Sequence, residues 1–145
     1  MKITIETPKA EEEEEIIIRC RALDDEMMHL IQALRKGRDT LAGYAEDRIV
    51  KLDPGEIYYF ESVDNRVYAY TGKEVYEVRR KLYEIEEAYS HLDFLRISKS
   101  AIVNVAKIAY LKPIFNGRFE TTLKNGEKII ISRQYIINLK KKLGI

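Results

Sequence analysis

The chain has 145 residues, with 25 Lys/Arg against 24 Asp/Glu, 46% apolar side chains, two histidines and a single cysteine. This length suits one domain of about 100 residues with a small attachment, and the lone Cys20 excludes an internal disulfide framework or a cysteine-built metal cluster. The near-neutral total hides an asymmetry: residues 93–145 carry eleven basic and three acidic side chains, net +8, whereas 1–45 is net −3 and 46–92 is net −4. A basic end on an otherwise acidic chain points to an oriented anionic partner rather than to general adhesion.

Residues 2–6 alternate as a short strand that Thr7-Pro8 ends. The run Glu11 to Glu15 reads as a solvated approach to a second strand over 16–21, whose three isoleucines suggest burial on both faces. No secretory h-region follows Met1-Lys2, and no stretch approaches a membrane span, so a cytoplasmic protein without membrane insertion is expected. Met27, Leu30, Ile31 and Leu34 then space an amphipathic helix with Asp24 as N-cap and Gly37 as stop. His29 falls off the apolar stripe and reads as a surface or boundary residue.

Residues 40–44 and 48–52 form a hairpin, and Asp53-Pro54-Gly55-Glu56 is a firm turn. Strands follow over 57–62, 66–71 and 74–78, and then a helix over 79–89 with Leu82, Ile85 and Tyr89 on one stripe. Residues 108–115, 118–123 and 128–131 make a meander through Asn116-Gly117 and Asn125-Gly126, with Pro113 expected at an edge or bulge. Tyr135, Leu139 and Leu143 space a closing helix, and Lys140-Lys141-Lys142 suits its last turn, where cations complement the macrodipole. The fold class is mostly β with short helices. A composition shift near 43–48 divides an N-terminal β-β-α attachment, 1–45, from a β-rich domain, 46–145.

Catalytic patterns find no support. The chain lacks GxxxxGK[ST] and GxGxxG glycine loops, His29 and His91 share no metal-ligand spacing with each other or with Cys20, and Ser100 and Ser132 lack a nucleophile elbow. No enzyme activity, cofactor or metal is expected. What does stand out is lone cations at the ends of apolar runs, Lys99 and Arg133 above all, where a side chain leaves the core toward a partner.

The string Phe94-Leu95-Arg96-Ile97-Ser98-Lys99-Ser100-Ala101-Ile102-Val103-Asn104, preceded by Ile57-Tyr58-Tyr59-Phe60-Glu61-Ser62 and followed by Ser132-Arg133-Gln134-Tyr135, resembles the LytTR DNA-binding domain over about residues 46–145. The resemblance implies stacked small antiparallel sheets, a bacterial transcription regulator, and double-stranded DNA as partner. It also implies promoter direct repeats read by loops in successive major grooves, and a homodimer on DNA. Transferred by position, it implies DNA contacts at Asn65 and Arg66, at Ser98, Lys99 and Ser100, and at Ser132, Arg133 and Gln134.

The chemistry of these groups suits the task. Arg133 offers a planar fork for guanine O6 and N7, and Lys99 donates to the same atoms or to a phosphate. Asn65 can bond adenine N6 and N7 or hold a left-handed turn. Ser98 and Ser100 can hold phosphates, and Arg66, Lys112, Arg118 and Lys124 are further phosphate candidates. Arg96 sits inside the strand pattern as an ion-pair partner, Val103 reads as core, and Asn104 as a satisfied polar turn.

Many members of this family carry a receiver domain, for which residues 1–45 are too short, so phospho-relay control is expected to be absent. The attachment could cover a sheet edge, form a dimer contact or complete the core, and the resemblance admits a small membrane protein as a regulatory partner. Two other classes stay open: an interaction module whose basic end binds an acidic protein, and a small enzyme with a concave pocket of perturbed titratable groups.

Overall fold

In the computed structural model, which describes residues 2–36, 40–90 and 92–145, Asp24 caps the first helix, α1 (Asp25–Lys36), by accepting from the Met27 amide at 2.9 Å. The hairpin β1 (Leu41–Tyr44) and β2 (Ile49–Leu52) precedes the meander β3 (Ile57–Val63), β4 (Arg66–Thr71) and β5 (Val75–Val78). After α2 (Leu82–Ala88) come β6 (Phe94–Ser98), β7 (Ala101–Asn104), β8 (Ile108–Pro113), β9 (Phe119–Leu123), β10 (Lys128–Ile131) and the closing α3 (Ile136–Leu143). The ladders are antiparallel, one sheet running β2-β1-β5-β4-β3-β7-β6 and the other β10-β9-β8.

The larger sheet packs on both faces around β3 and β7, and two cores result. Ile57, Phe60, Val67, Val78 and Ile102 pack with Leu82, Ile85 and Tyr89 of the α2 region on one face. On the other face, Tyr59, Ile97, Ala101 and Val103 meet Leu123 and Ile131 of the smaller sheet and Ile136 and Leu139 of α3. All four residues of β7 are buried: Ile102 joins the first core, Ala101 and Val103 the second, and Asn104 donates to the Ile57 carbonyl at 2.9 Å while accepting from the Ala106 amide at 3.1 Å. The expected core role of Val103 and satisfied turn role of Asn104 are therefore what the structure shows.

In the larger sheet two register shifts break the two-residue alternation, one in β3 between Ile57 and Tyr59 and one in β6 between Arg96 and Ser98. Each inserts one residue into its strand, so Ile57 and Phe60, three apart, share one core, and Ser98 pairs with Ala101 although Arg96, two residues before it, pairs with Ile102. Bulges of this kind bend a strand and re-aim its side chains. Pro113 ends β8 at the edge of the smaller sheet, where its missing N–H breaks no inner ladder.

Several expectations need correction. Residues 2–6 and 16–21 form no strand; Ile3, Ile5, Ile16 and Ile17 stay exposed, and two short segments beside a run of five glutamates have no third strand or apolar face to pair against. Strands β1 and β2, on either side of residue 45, pair with each other, and β1 also pairs with β5, so both belong to the main sheet. The helix expected over 79–89 is shorter: Lys81 is extended and Arg79 lies over the Tyr44 ring at 3.9 Å, so the chain crosses from sheet to helix before Leu82. Gly37, the expected helix stop, and His91 lie outside the described residues. His29 is exposed, as expected.

Tyr59 fastens the two sheets. Its hydroxyl donates to Glu127 Oε1 at 2.7 Å from the β9–β10 turn, and its ring stacks on Tyr70 with centroids 4.2 Å apart. Burial, then the hydrogen bond and charge of Glu127, push the Tyr59 phenol well above its ordinary value. Replacing Tyr59 by Phe should cost about 1 kcal/mol in urea denaturation at neutral pH. Because the folded-state value is raised, wild-type stability should be level below the unfolded-state value of about 10 and fall as pH rises beyond it. Tyr59→Phe should flatten that alkaline decline; an equally steep decline in the variant would show that other groups cause it.

Candidate nucleic-acid interface

Three turns meet at one end of the larger sheet because β3 and β7 run antiparallel, which brings the C-terminal end of one beside the start of the other. The Ser62 amide donates to the Ser100 carbonyl at 2.8 Å, joining the end of β3 to the β6–β7 turn. The Ser132 amide donates to the Ile97 carbonyl at 2.9 Å, joining that turn in its place to the chain leaving β10. Residues distant in sequence thus share a groove of about 450 Å³ lined by Ser98, Lys99, Ser100, Ser132, Arg133 and Gln134.

Within the first turn the serines are engaged locally. The Ser100 amide donates to Ser98 Oγ at 3.2 Å, and the two hydroxyls lie 3.4 Å apart. Such side-chain to backbone bonds replace the ladder where a strand stops. In the second turn the Tyr135 amide donates to the Ser132 carbonyl at 2.9 Å, closing the 3-10 turn Arg133–Tyr135 that leads into α3. Lys99, Arg133 and Gln134 are exposed, and among the described residues no carboxylate lies within ion-pair distance of Lys99 or Arg133. Two cations facing one groove, with no carboxylate beside them among the described residues, make a surface that attracts anions.

Asn65 and Arg66 stand apart from that groove. Asp64 and Asn65 both have positive φ, 52° and 64°, and Val63 pairs with Arg66, so they form the two-residue turn that matches the twist of a hairpin. Asparagine at 65 is thereby accounted for by backbone geometry, while its side chain stays exposed. Arg66 reaches Glu77 at 3.9 Å across the neighbouring strands, and 65% of its side chain remains exposed. In the lysine triplet, Lys142 Nζ donates to the Leu92 carbonyl at 2.6 Å, tying α3 to the loop before β6, while Lys140 and Lys141 occupy the exposed last turn.

Two supports of the groove were not recognised in the sequence. Gly117, at φ +70, sits against the stem of Arg133: a Cβ placed on it would meet Arg133 Cδ at 2.9 Å and Cγ at 3.0 Å. The Asn-Gly signal marks the hairpin turn but carries no information about what packs on it. Arg96, read as an ion-pair partner, does reach Glu86 at 3.4 Å, and also donates to backbone carbonyls of the β6–β7 turn. Among the described residues no group of three His, Cys, Asp or Glu could hold a metal ion, and no helix is long and apolar enough to cross a membrane.

The family model described as the LytTr DNA-binding domain matches residues 47–144. The chain is 35% identical over 109 residues to the sensory transduction protein LytT of Bacillus subtilis, covering 75% of this chain and 45% of that protein. It is 32% identical over 100 residues to LytT of Enterococcus faecalis, covering 69% and 41% respectively. The chain therefore spans less than half the length of these LytT relatives. An uncharacterised HTH-type transcriptional regulator of Staphylococcus aureus is 29% identical over 147 residues, covering 100% of this chain and 99% of that protein. Among solved structures, a LytTr DNA-binding domain from Bacillus cereus superposes with a TM-score of 0.69 at 24% identity, covering 73% of this chain and 97% of that one, a likeness of fold.

The packing of Gly117 under Arg133 can be checked against Gly126, whose φ is +88 but whose added Cβ would meet nothing within 4 Å. Both Gly→Ala variants should lose about 1–2 kcal/mol in chemical denaturation from left-handed backbone strain. Only Gly117→Ala should also move the Arg133 side-chain NMR signal. An unmoved signal in that variant would remove the packing argument.

Proposed function

The chain belongs to the LytTr DNA-binding domain family, and from that premise we propose that it is a transcriptional regulator that reads promoter direct repeats through loops set in successive major grooves. The observation that carries this reading is the convergence of the 98–100 and 132–134 turns, which presents Lys99 and Arg133 in one groove without carboxylate partners among the described residues. We assign base reading to these two. A guanidinium can span guanine O6 and N7, and an ammonium can reach the same atoms or a phosphate.

The remaining site residues take supporting parts. Ser100, Ser132 and Gln134 border the same groove and can hold sugar–phosphate oxygens, as can the Ser98 hydroxyl beyond its local bond. Asn65 and Arg66 lie on the adjoining turn, joined to the groove through the Ser62–Ser100 hydrogen bond, and contact the flank of the site. No two α-helices follow one another directly among the described residues, α2 and α3 being separated by five strands; this favours reading by loops. One domain meets one repeat, so a direct repeat engages two copies.

Selection of bound sequences from a random DNA pool tests the proposal. Recovery of a motif repeated at about one helical turn is the expected outcome. Unbiased recovery together with tight binding to an acidic protein would favour the interaction-module reading instead. On the recovered sequence, Arg133→Ala should weaken specific binding by about 1–3 kcal/mol and relax preference at one base pair, read by titration against single-base variants. Lys112→Ala and Lys124→Ala, at exposed positions on the smaller sheet, should each lower the log–log salt slope by about one unit if they meet phosphates. Slopes equal to wild type would place those lysines away from DNA.

A further inference from the structure

The β6–β7 turn is held from behind by one side chain. Arg96 Nε donates to the Ser98 carbonyl at 2.7 Å, one terminal nitrogen donates to the Lys99 carbonyl, and the other reaches Glu86 Oε1 on α2 at 3.4 Å. Each nitrogen of the guanidinium therefore has an acceptor, and only 18% of the side chain is exposed. The one-residue shift between Arg96 and Ser98 falls at this point, where a bulged strand bends. Arg96 pairs across from Ile102, which lies in the core under α2, so its side chain leaves the sheet on the face where Glu86 lies.

We propose that Arg96 is a positioning residue for DNA reading: its fork holds the Ser98 and Lys99 carbonyls inward, which fixes the direction in which the Lys99 side chain enters the groove, and Arg96 itself does not touch DNA. Two successive carbonyls and a carboxylate make a planar, three-sided acceptor set that a guanidinium fills and an ammonium, with one nitrogen, does not. A side chain 18% exposed with all three nitrogens engaged offers little to a phosphate. Preorganisation of this kind matters because immobilising a long side chain on binding costs affinity. The inference rests on the proposed base reading by Lys99, but the state of the turn in the free protein is measured separately.

The test uses the full chain with Arg96→Lys, which keeps the charge and loses the fork, and Arg96→Gln, which loses both. In the free protein, amide hydrogen exchange at Lys99 and Ser100 should accelerate at least tenfold in both variants, with the amides of β7 unchanged. Exchange at wild-type rates would overturn the clamp whatever happens with DNA. With the duplex recovered by the wild-type chain from a random pool, both variants should bind about tenfold more weakly and lose preference at the base pair whose preference Lys99→Ala also removes, with the salt slope unchanged. Adding Lys99→Ala to Arg96→Gln should cost little more, because the two act on one contact. Wild-type binding by Arg96→Lys, or a slope reduced by about one unit in Arg96→Gln, would instead make Arg96 a direct charge contact and refute the proposal. If the wild-type chain enriches no sequence, the DNA reading fails while the exchange result still decides the clamp.

Discussion

Burial of β7 on both faces is the constraint from which the rest of the architecture follows. A four-residue strand with every side chain buried must have a core on each side, and the larger sheet is accordingly covered by α2 on one face and by the smaller sheet with α3 on the other. Pairing of β3 with β7, from Tyr59 opposite Val103 to Glu61 opposite Ala101, brings residues some forty positions apart into register. That register places Ser62 against Ser100 and thereby sets the end of the sheet at which the turns gather. Buried on both sides, the pair cannot slip by one residue without exchanging the contents of the two cores.

The same constraint explains why the groove is built on turns yet is not loose. Each turn is one or two hydrogen bonds from a fully buried strand, through Ser132 to Ile97, Ser62 to Ser100, and Arg96 to Ser98 and Lys99. The β8–β9 hairpin closes the arrangement by laying Gly117 under the Arg133 stem. Loops held on a rigid scaffold are a common division of labour; here the scaffold's contribution to the groove can be named atom by atom.

The sequence was legible where a signal is local. The Asp24 cap, the hairpin turns at Asn116-Gly117 and Asn125-Gly126, the edge position of Pro113 and the strands from Ile57 to Val78 all rest on neighbours a few residues away, and they stand. Alternation over 2–6 and 16–21 describes what a strand could bury, not whether a sheet is there to receive it, and Ile3, Ile5, Ile16 and Ile17 remain exposed. The residue type of Asn65 suits a turn or a base contact alike, and its φ of 64° establishes the turn. The charge of Arg96 points to its ion pair, whereas its bonds to the Ser98 and Lys99 carbonyls depend on the fold of the turn.

By itself the sequence determined the basic character of residues 93–145, the mostly β composition, the turn positions and the motif by which the family can be recognised, since each is written in residue type and short-range spacing. Only the tertiary structure decided that Lys99 and Arg133 line one groove, that Gly117 lies beneath Arg133, and that the guanidinium of Arg96 faces the turn rather than solvent. The physical reason is that these juxtapositions depend on long-range strand pairing and on two one-residue register shifts, and a single inserted residue turns every following side chain to the opposite face.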